Sequence, residues 1–277
     1  MMVPKPVPRM SRLRGRLAVN RDGLSTVGLF VVSLGLLALA WQYGVQIFHI
    51  PEYLIPRFST VVKTVVDQRT SLLHHTWITG YESVIGFAVA LAVSIPLAIL
   101  ITYSKTVEKI VYPWLVSSQV VPKVAVAPLF VVWFGFGIRP KIIVAFLIAF
   151  FPIVVSTTVG LKSTEREMLY LARSMGGGDL VTFLRVRVPN AMPSIFGGLK
   201  VGITFSVVGA LVGEFVGSSS GLGYVLLRAT GVLDTPTVFA SLVLMTILGV
   251  ILFAAVEISE RILVPWRVEE RQAGATT

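Results

Sequence analysis

Few residues of this chain are equipped for covalent chemistry. It has no cysteine, which excludes disulfides, thiolate metal sites and cysteine nucleophiles. The histidines are His49, His74 and His75, and adjacent histidines are more often solvated loop residues than metal ligands. No G-x4-G-K-[ST] phosphate cradle occurs, and no His/Asp/Ser constellation suggests hydrolysis. The residues that stand out do so by context. Lys123 lies inside an apolar run, flanked by Pro122 and followed by Pro128. Glu214 precedes the stretch GSSSGLGY, and Glu82 lies near the start of another apolar run. The longest polar interruption, residues 162–192, carries Lys and Arg between two apolar runs. Such groups attract ions or dock surfaces; they do not cut bonds.

The elements that hold them are read from composition. The chain has 277 residues, 55% hydrophobic and 14% charged, with a mean hydropathy of +0.82. A soluble domain carries about 25% charged residues. Several runs exceed the ~18 apolar residues that cross a bilayer, without the short alternating segments of a barrel. This predicts an all-α membrane protein with six transmembrane helices at residues 26–48, 77–102 (with Pro96), 110–134 (broken by Pro113, Pro122 and Pro128), 141–161, 193–217 and 237–263. Residues 1–25 form an N-terminal tail, 26–264 the membrane domain and 265–277 a C-terminal tail. No cleavable signal peptide is expected, because the basic tail is long and the first apolar run is span-length. Between the first two spans, Ser59 is placed to cap a short external helix from Thr60. Drawn this way, Lys123 sits about 13 residues, ~20 Å, into the third span.

Orientation follows from Lys and Arg. One side holds Lys5, Arg9, Arg12, Arg14, Arg16, Arg21, Lys105, Lys109, Lys162, Arg166, Arg173, Arg185, Arg187, Arg261, Arg267 and Arg271. The other holds only Arg57, Lys63, Arg69, Arg139, Lys141 and Arg228. Both termini are therefore expected in the cytoplasm. The same asymmetry accounts for the net charge of +10, and no basic, aromatic-interleaved domain points to nucleic acid.

Within the cytoplasmic loop 162–192, residues 165–175 are good helix formers and Gly176, Gly177 and Gly178 stop them. Asp179 is placed to cap a second helix that ends before Pro189. Two short helices at a glycine corner make a knob that fits a groove of another protein; an amphipathic hairpin lying on the membrane is the other reading.

The loop resembles the EAA motif, EAA-x3-G-x9-I-x-L-P, of permease subunits in bacterial binding-protein-dependent ABC importers. Tyr170, Leu171 and Ala172 stand in the EAA places, Gly176 in the glycine place, and Val186, Val188 and Pro189 in the I-x-L-P places. The spacing is kept without a gap, while Tyr170 replaces the acidic residue and Leu171 the alanine. The similarity extends over residues 54–266 and is greatest to the nitrate/sulfonate/taurine branch, which includes riboflavin and thiamine-pyrimidine precursor systems. It is carried also by LIPRFSTV (54–61), VAVAPLFVVWFGFG (124–137), AFFPIVVSTTVGLKS (149–163) and GEFVGSSSGLGYVLL (213–227).

The resemblance implies a type I importer permease fold in the bacterial inner membrane. It implies partners: a dimer of ATP-binding subunits, a second permease copy forming a homodimer, and an extracytoplasmic solute-binding protein. The chain itself is then no enzyme and holds no cofactor. The docking loop would use Glu165, Tyr170, Leu171, Ala172, Arg173, Met175, Gly176, Asp179 and Pro189. Lys123 either lines the path of a small anionic solute or pairs with carboxylates or carbonyls between helices. Glu214 is read as a gate residue, a partner for Lys123, or part of a helix-end network. Gly198, Gly202, Gly209, Gly213 and Gly217 read as a packing stripe, and Lys200 as a snorkelling lysine. An ion-coupled secondary transporter is the competing class, with Glu82 and Glu214 as its carboxylates, although no internal repeat supports it. A membrane enzyme would need ionisable groups clustered at one depth, which the sequence does not display.

Overall fold

In the computed structural model of this chain, residues 28–29 and 32–266 are described. The basic tail Lys5 to Arg21, the first residues of the first span, and Arg267 and Arg271 lie outside them. Among the described residues all regular structure is helical. The order is α1 (Val32–Ile47), α2 (Phe58–Asp67), α3 (Arg69–Tyr103), α4 (Lys105–Ser118), α5 (Lys123–Phe134), α6 (Ile138–Lys162), α7 (Arg166–Ser174), α8 (Asp179–Thr182), α9 (Val188–Phe215), α10 (Leu222–Gly231) and α11 (Thr235–Leu263). Among the described residues four helices are long and apolar enough to cross a membrane: α3, α6, the rod Asp179–Phe215, and α11. At 1.5 Å per residue these run roughly 38 to 55 Å, more than the ~30 Å hydrocarbon core.

The bundle is built on α6 and α9, which run antiparallel and nearly touch. A Cβ on Gly213 would sit 2.7 Å from the Lys141 Cα, and one on Gly209 2.5 Å from the Ala145 Cα. Gly202 faces Ile153, Gly198 faces Ser156, and Gly160 on α6 faces Ala191 and Ser194. The fifteen-residue step from Gly213 to Gly198 along α9 matches the fifteen-residue step from Lys141 to Ser156 along α6, so small residues hold one register for the whole contact. Gly86 on α3 packs on the same Ala145, which makes α3 the third member of the core. Gly217 does not belong to this stripe. It lies beyond the end of α9 with φ +75 and faces the Phe136 ring.

The third predicted span, expected to be broken at Pro113, Pro122 and Pro128, is broken at Pro122 alone. It is two helices, α4 and α5, bent by 98°. Pro122 has no N–H to give a helix and stands in extended backbone (φ −69, ψ 93), so the chain turns there and restarts at Lys123. Pro113 and Pro128 lie inside their helices without breaking them.

Two further expectations change. Arg57, not Ser59, takes the N-cap place of α2. The Ser59 N–H is held by the Gln42 side chain of α1 at 3.0 Å, and the Trp41 indole N–H donates to the Pro56 carbonyl at 3.0 Å. Side chains of α1 thus satisfy the backbone groups that a local cap would have met. The second helix of the loop does not end before Pro189. A π turn, Phe183–Arg187, with the Val188 N–H donating to the Phe183 carbonyl, joins α8 to α9 in one 37-residue helix. The wider turn shifts the hydrogen-bond register just ahead of Pro189, which has no N–H to offer the ladder.

Candidate functional site

The loop between α6 and α9 is a knob with an apolar surface. α7 ends in a paired-bond glycine cap. Gly177 N–H donates to the Ala172 carbonyl and Gly176 N–H to the Arg173 carbonyl, both at 3.0 Å, with Gly176 at φ +82. Gly178, not Asp179, takes the N-cap place of α8; Asp179 is its first residue. There its carboxylate meets Arg173 at 3.3 Å and closes the corner. Glu165 precedes α7 without a side-chain cap bond. Tyr170 and Leu171 are 66% and 63% exposed, and Met175 and Leu180 79% and 70%. Pro189 stands apart from this corner, within the first turn of α9.

The loop is tied to the bundle at its base. Lys162 pairs with Glu108 of α4 at 2.5 Å. The Arg187 guanidinium lies over the Tyr103 ring at the end of α3, 5.5 Å from its centroid, and Phe183 packs against the same ring. The Asn190 amide donates to the Ser163 and Thr164 hydroxyls.

Lys123 opens α5 instead of sitting deep within a straight span. Its ammonium lies 4.3 Å from the Phe151 ring centroid on α6. It does not meet Glu214, whose partners lie elsewhere. Lys200 is not a snorkelling lysine; it is bonded to Glu257 and Glu260 of α11, with its side chain 14% exposed.

At the far end of α9, Glu214 belongs to a polar cluster at the helix end, one of the three roles the sequence left open for it. Lys141, counted there among the outer cations, is buried and donates to Glu82 Oε1 at 2.8 Å. Glu214 is 1% exposed. It accepts the Thr79 hydroxyl at 2.6 Å and the Gly223 N–H at 2.5 Å, and thereby holds the start of α10. A Cβ on Gly221 would lie 2.1 Å from the Glu214 carboxylate, so only glycine lets this backbone close over it. His75, expected in a loop, lies on α3, and its Nδ1 accepts the Gly221 N–H at 3.0 Å. A cavity of about 490 Å3 opens beside Glu82 and Lys141, beneath Phe136 and Ser218, Ser219 and Ser220. Lys141, and its pairing with Glu82, is what was missed. The available signal was that an apolar-run carboxylate requires a cation at its own depth, and Lys141 stood at a span edge. Among the described residues no group of three or more His, Asp or Glu side chains is placed to hold a metal ion.

Comparison with known proteins completes the description. Residues 85–268 match the family described as "Binding-protein-dependent transport system inner membrane component". The formylaminopyrimidine transport permease protein ThiX of Halalkalibacterium halodurans is 39% identical over 85% of this chain and 94% of its own. The riboflavin transport system permease protein RibX of Chloroflexus aurantiacus is 35% identical over 94% of this chain and 97% of its own. A Bacillus subtilis relative described as an aliphatic sulfonates transport permease protein is 31% identical over 82% of this chain and 83% of its own. Among solved structures, a chain of the inward-facing MetNI methionine ABC transporter superposes with a TM-score of 0.59, covering 70% of this chain and 97% of that one. At 18% identity this likeness concerns the fold alone.

Proposed function

Because this chain belongs to the family of inner membrane components of binding-protein-dependent transport systems, we propose that it forms the path for a small anionic solute and takes mechanical work from ATP-binding subunits through the loop 162–192. It is a permease subunit of an ABC importer and a multi-pass protein of the bacterial inner membrane, and the ATPase activity resides on a separate subunit. Beyond that, we read six spans in a type I arrangement, with α1 and the bent α4–α5 pair as the two that length alone does not single out. The tails 1–25 and 265–277 then face the cytoplasm, and two copies of the chain pair. The alternative of an ion-coupled carrier has no support in the relatives.

The observation that carries the docking role is the apolar surface of the corner. Met168, Tyr170, Leu171, Met175 and Leu180 are exposed around the glycine corner. Apolar area left in water forgoes about 25 cal/mol per Å2 that burial against a partner regains. With Tyr170 in the acidic place of the motif, insertion of apolar side chains takes the part of an ion pair. The bonds at Lys162, Arg187 and Asn190 fix the base of the loop to α3, α4 and α6. Movement of the corner is then passed into the bundle, and the cavity is exposed alternately to the two sides. Lys123, beside Phe151, supports an anionic solute, in line with the sulfonate named for one relative.

The test is a Leu171→Asp, Met175→Asp double variant. The permease is expected to reach the membrane in normal amount and to lose its ATP-binding subunit on purification. Retention of that subunit at wild-type stoichiometry would place the docking surface elsewhere.

A further inference from the structure

The pocket between α3, α6 and α9 holds two carboxyl groups and one ammonium. The side chains of Glu82 and Lys141 are 0% and 6% exposed, and Glu214 is 1% exposed. Of the four carboxylate oxygens, three have donors. Glu82 Oε1 accepts from Lys141 Nζ at 2.8 Å. Glu214 Oε1 accepts from the Thr79 hydroxyl at 2.6 Å, and Glu214 Oε2 from the Gly223 N–H at 2.5 Å. The fourth, Glu82 Oε2, is buried with no partner. Thr79, whose hydroxyl bonds Glu214, stands one turn before Glu82 on α3, so the two carboxyls share one pocket, yet two ionised carboxylates are both acceptors and cannot bond.

The neighbouring hydroxyls of Thr79, Ser83 and Ser206 are already engaged. Thr79 already accepts the Leu222 N–H at 2.8 Å, and the Ser83 hydroxyl donates to the Thr79 carbonyl at 2.7 Å. The Ser206 hydroxyl donates to the Ser83 carbonyl. The titratable and charged groups around the pair are Lys141 from α6, His75 from α3, and Tyr224 with the first N–H groups of α10. His75 is occupied, since its Nδ1 accepts from Gly221. A buried oxygen left without a donor is costly, and a buried charge without its counter-charge more so.

We propose that this pocket is a one-proton site, in which a single hydrogen bridges Glu82 Oε2 and the Glu214 carboxyl in the folded protein. The bridge gives the fourth oxygen its partner and leaves one carboxylate against one ammonium, so the pocket is neutral. A proton is the occupant that fits, because it supplies the donor that Glu82 Oε2 lacks and cancels the charge of the second carboxylate. Two carboxyls in contact share one proton for the same reason wherever like charges are held together without water. The proton enters from the cavity beside Glu82 and Lys141. Its presence fastens the start of α10 to α3 and α9, because Glu214 is the group that grips the Gly223 N–H. None of this depends on what the chain transports.

The experiment is infrared spectroscopy of the full chain, assembled with its ATP-binding subunit in lipid vesicles at neutral pH. The wild type should show the carbonyl stretch of a protonated carboxyl that moves on labelling glutamate with carbon-13 and on deuterium exchange. Glu82→Gln keeps an acceptor for Lys141 and places its own N–H where the proton was. In that variant one such band is lost, while assembly and the midpoint of thermal unfolding stay as in the wild type. Glu82→Leu loses the same band and unfolds at lower temperature, because Lys141 is left without an acceptor. Absence of the band in the wild type overturns the proposal, as does a band undiminished in Glu82→Gln. Failure of Glu82→Gln to assemble also overturns it, since an amide reproduces the bridge.

Discussion

Gly176 gives a graded test of the docking corner. Its φ of +82 lies in the left-handed region, and a Cβ added there meets nothing within 4 Å. Substitution therefore carries only the backbone cost, with no steric clash. That cost is about 1–2 kcal/mol for an ordinary L-residue and less for asparagine, which tolerates this conformation. A corner that must be held in this shape to dock is then populated about 5–30-fold less, and the apparent affinity of the partner falls by the same factor. The assay is titration of the ATP-binding subunit onto permease vesicles, reading half-saturation. Gly176→Asn should sit nearest the wild type, with Gly176→Ala shifted about 5–30-fold and Gly176→Val beyond it, while membrane insertion is equal in all three. Equal half-saturation for Asn, Ala and Val would refute the reasoning, because it would mean that the corner geometry is irrelevant to docking.

The remaining predictions concern the bundle. Lys123→Met should raise the KM for an anionic solute at least about tenfold, roughly 1.4 kcal/mol, with Lys123→Arg close to wild type; uptake kinetics with the binding protein saturating decide it. Lys200→Met leaves Glu257 and Glu260 side by side without their shared cation. It should destabilise the protein by on the order of 3 kcal/mol, read as a lower unfolding midpoint, and an unchanged midpoint would show that the triad is not holding α9 to α11. Gly209→Ala drives a methyl to within 2.5 Å of the Ala145 backbone and should cut the yield of folded protein, whereas Gly197→Ala, with nothing within 4 Å, should be neutral. Size-exclusion profiles of the two variants make the comparison.

What could be read from the sequence was what short-range rules govern. Long apolar runs set the spans, and the glycine spacing along residues 198–213 set the face that α9 turns to α6. Gly176, Gly177 and Gly178 marked the stop of α7 because a left-handed cap needs glycine locally. The readings that failed depended on partners distant in sequence. Lys141 looked like an outer-loop cation because its partner, Glu82, is 59 residues away. Lys200 looked free to snorkel because Glu257 lies 57 residues on. Ser59 was not needed as a cap because Gln42 had already met its N–H. Pro189 looked like a helix stop because proline breaks the regular ladder. The π turn before it is a second way to accommodate the missing donor, and nothing in single-residue preference selects it.

That π turn has a mechanical consequence. Had the second loop helix ended at Pro189, a flexible joint would separate the docking corner from the membrane, and any displacement of the corner would be absorbed there. Instead Asp179, which closes the corner on Arg173, and Glu214, which grips α10, lie on one uninterrupted helix, about 53 Å apart at 1.5 Å per residue. Over residues 198–213 its glycines are seated against α6, and close-packed contacts of this kind shift as units more readily than they deform. The bent pair α4–α5 is joined to the same body at Lys162–Glu108 on one side and packs on it through Phe130, Val144 and Val212 on the other. A tilt of the rod must therefore either carry the 98° elbow with it or open the elbow against α6. On the reading proposed here, the elbow is the element with freedom to change, and Lys123, at its apex, is the charged side chain that such a change would move most.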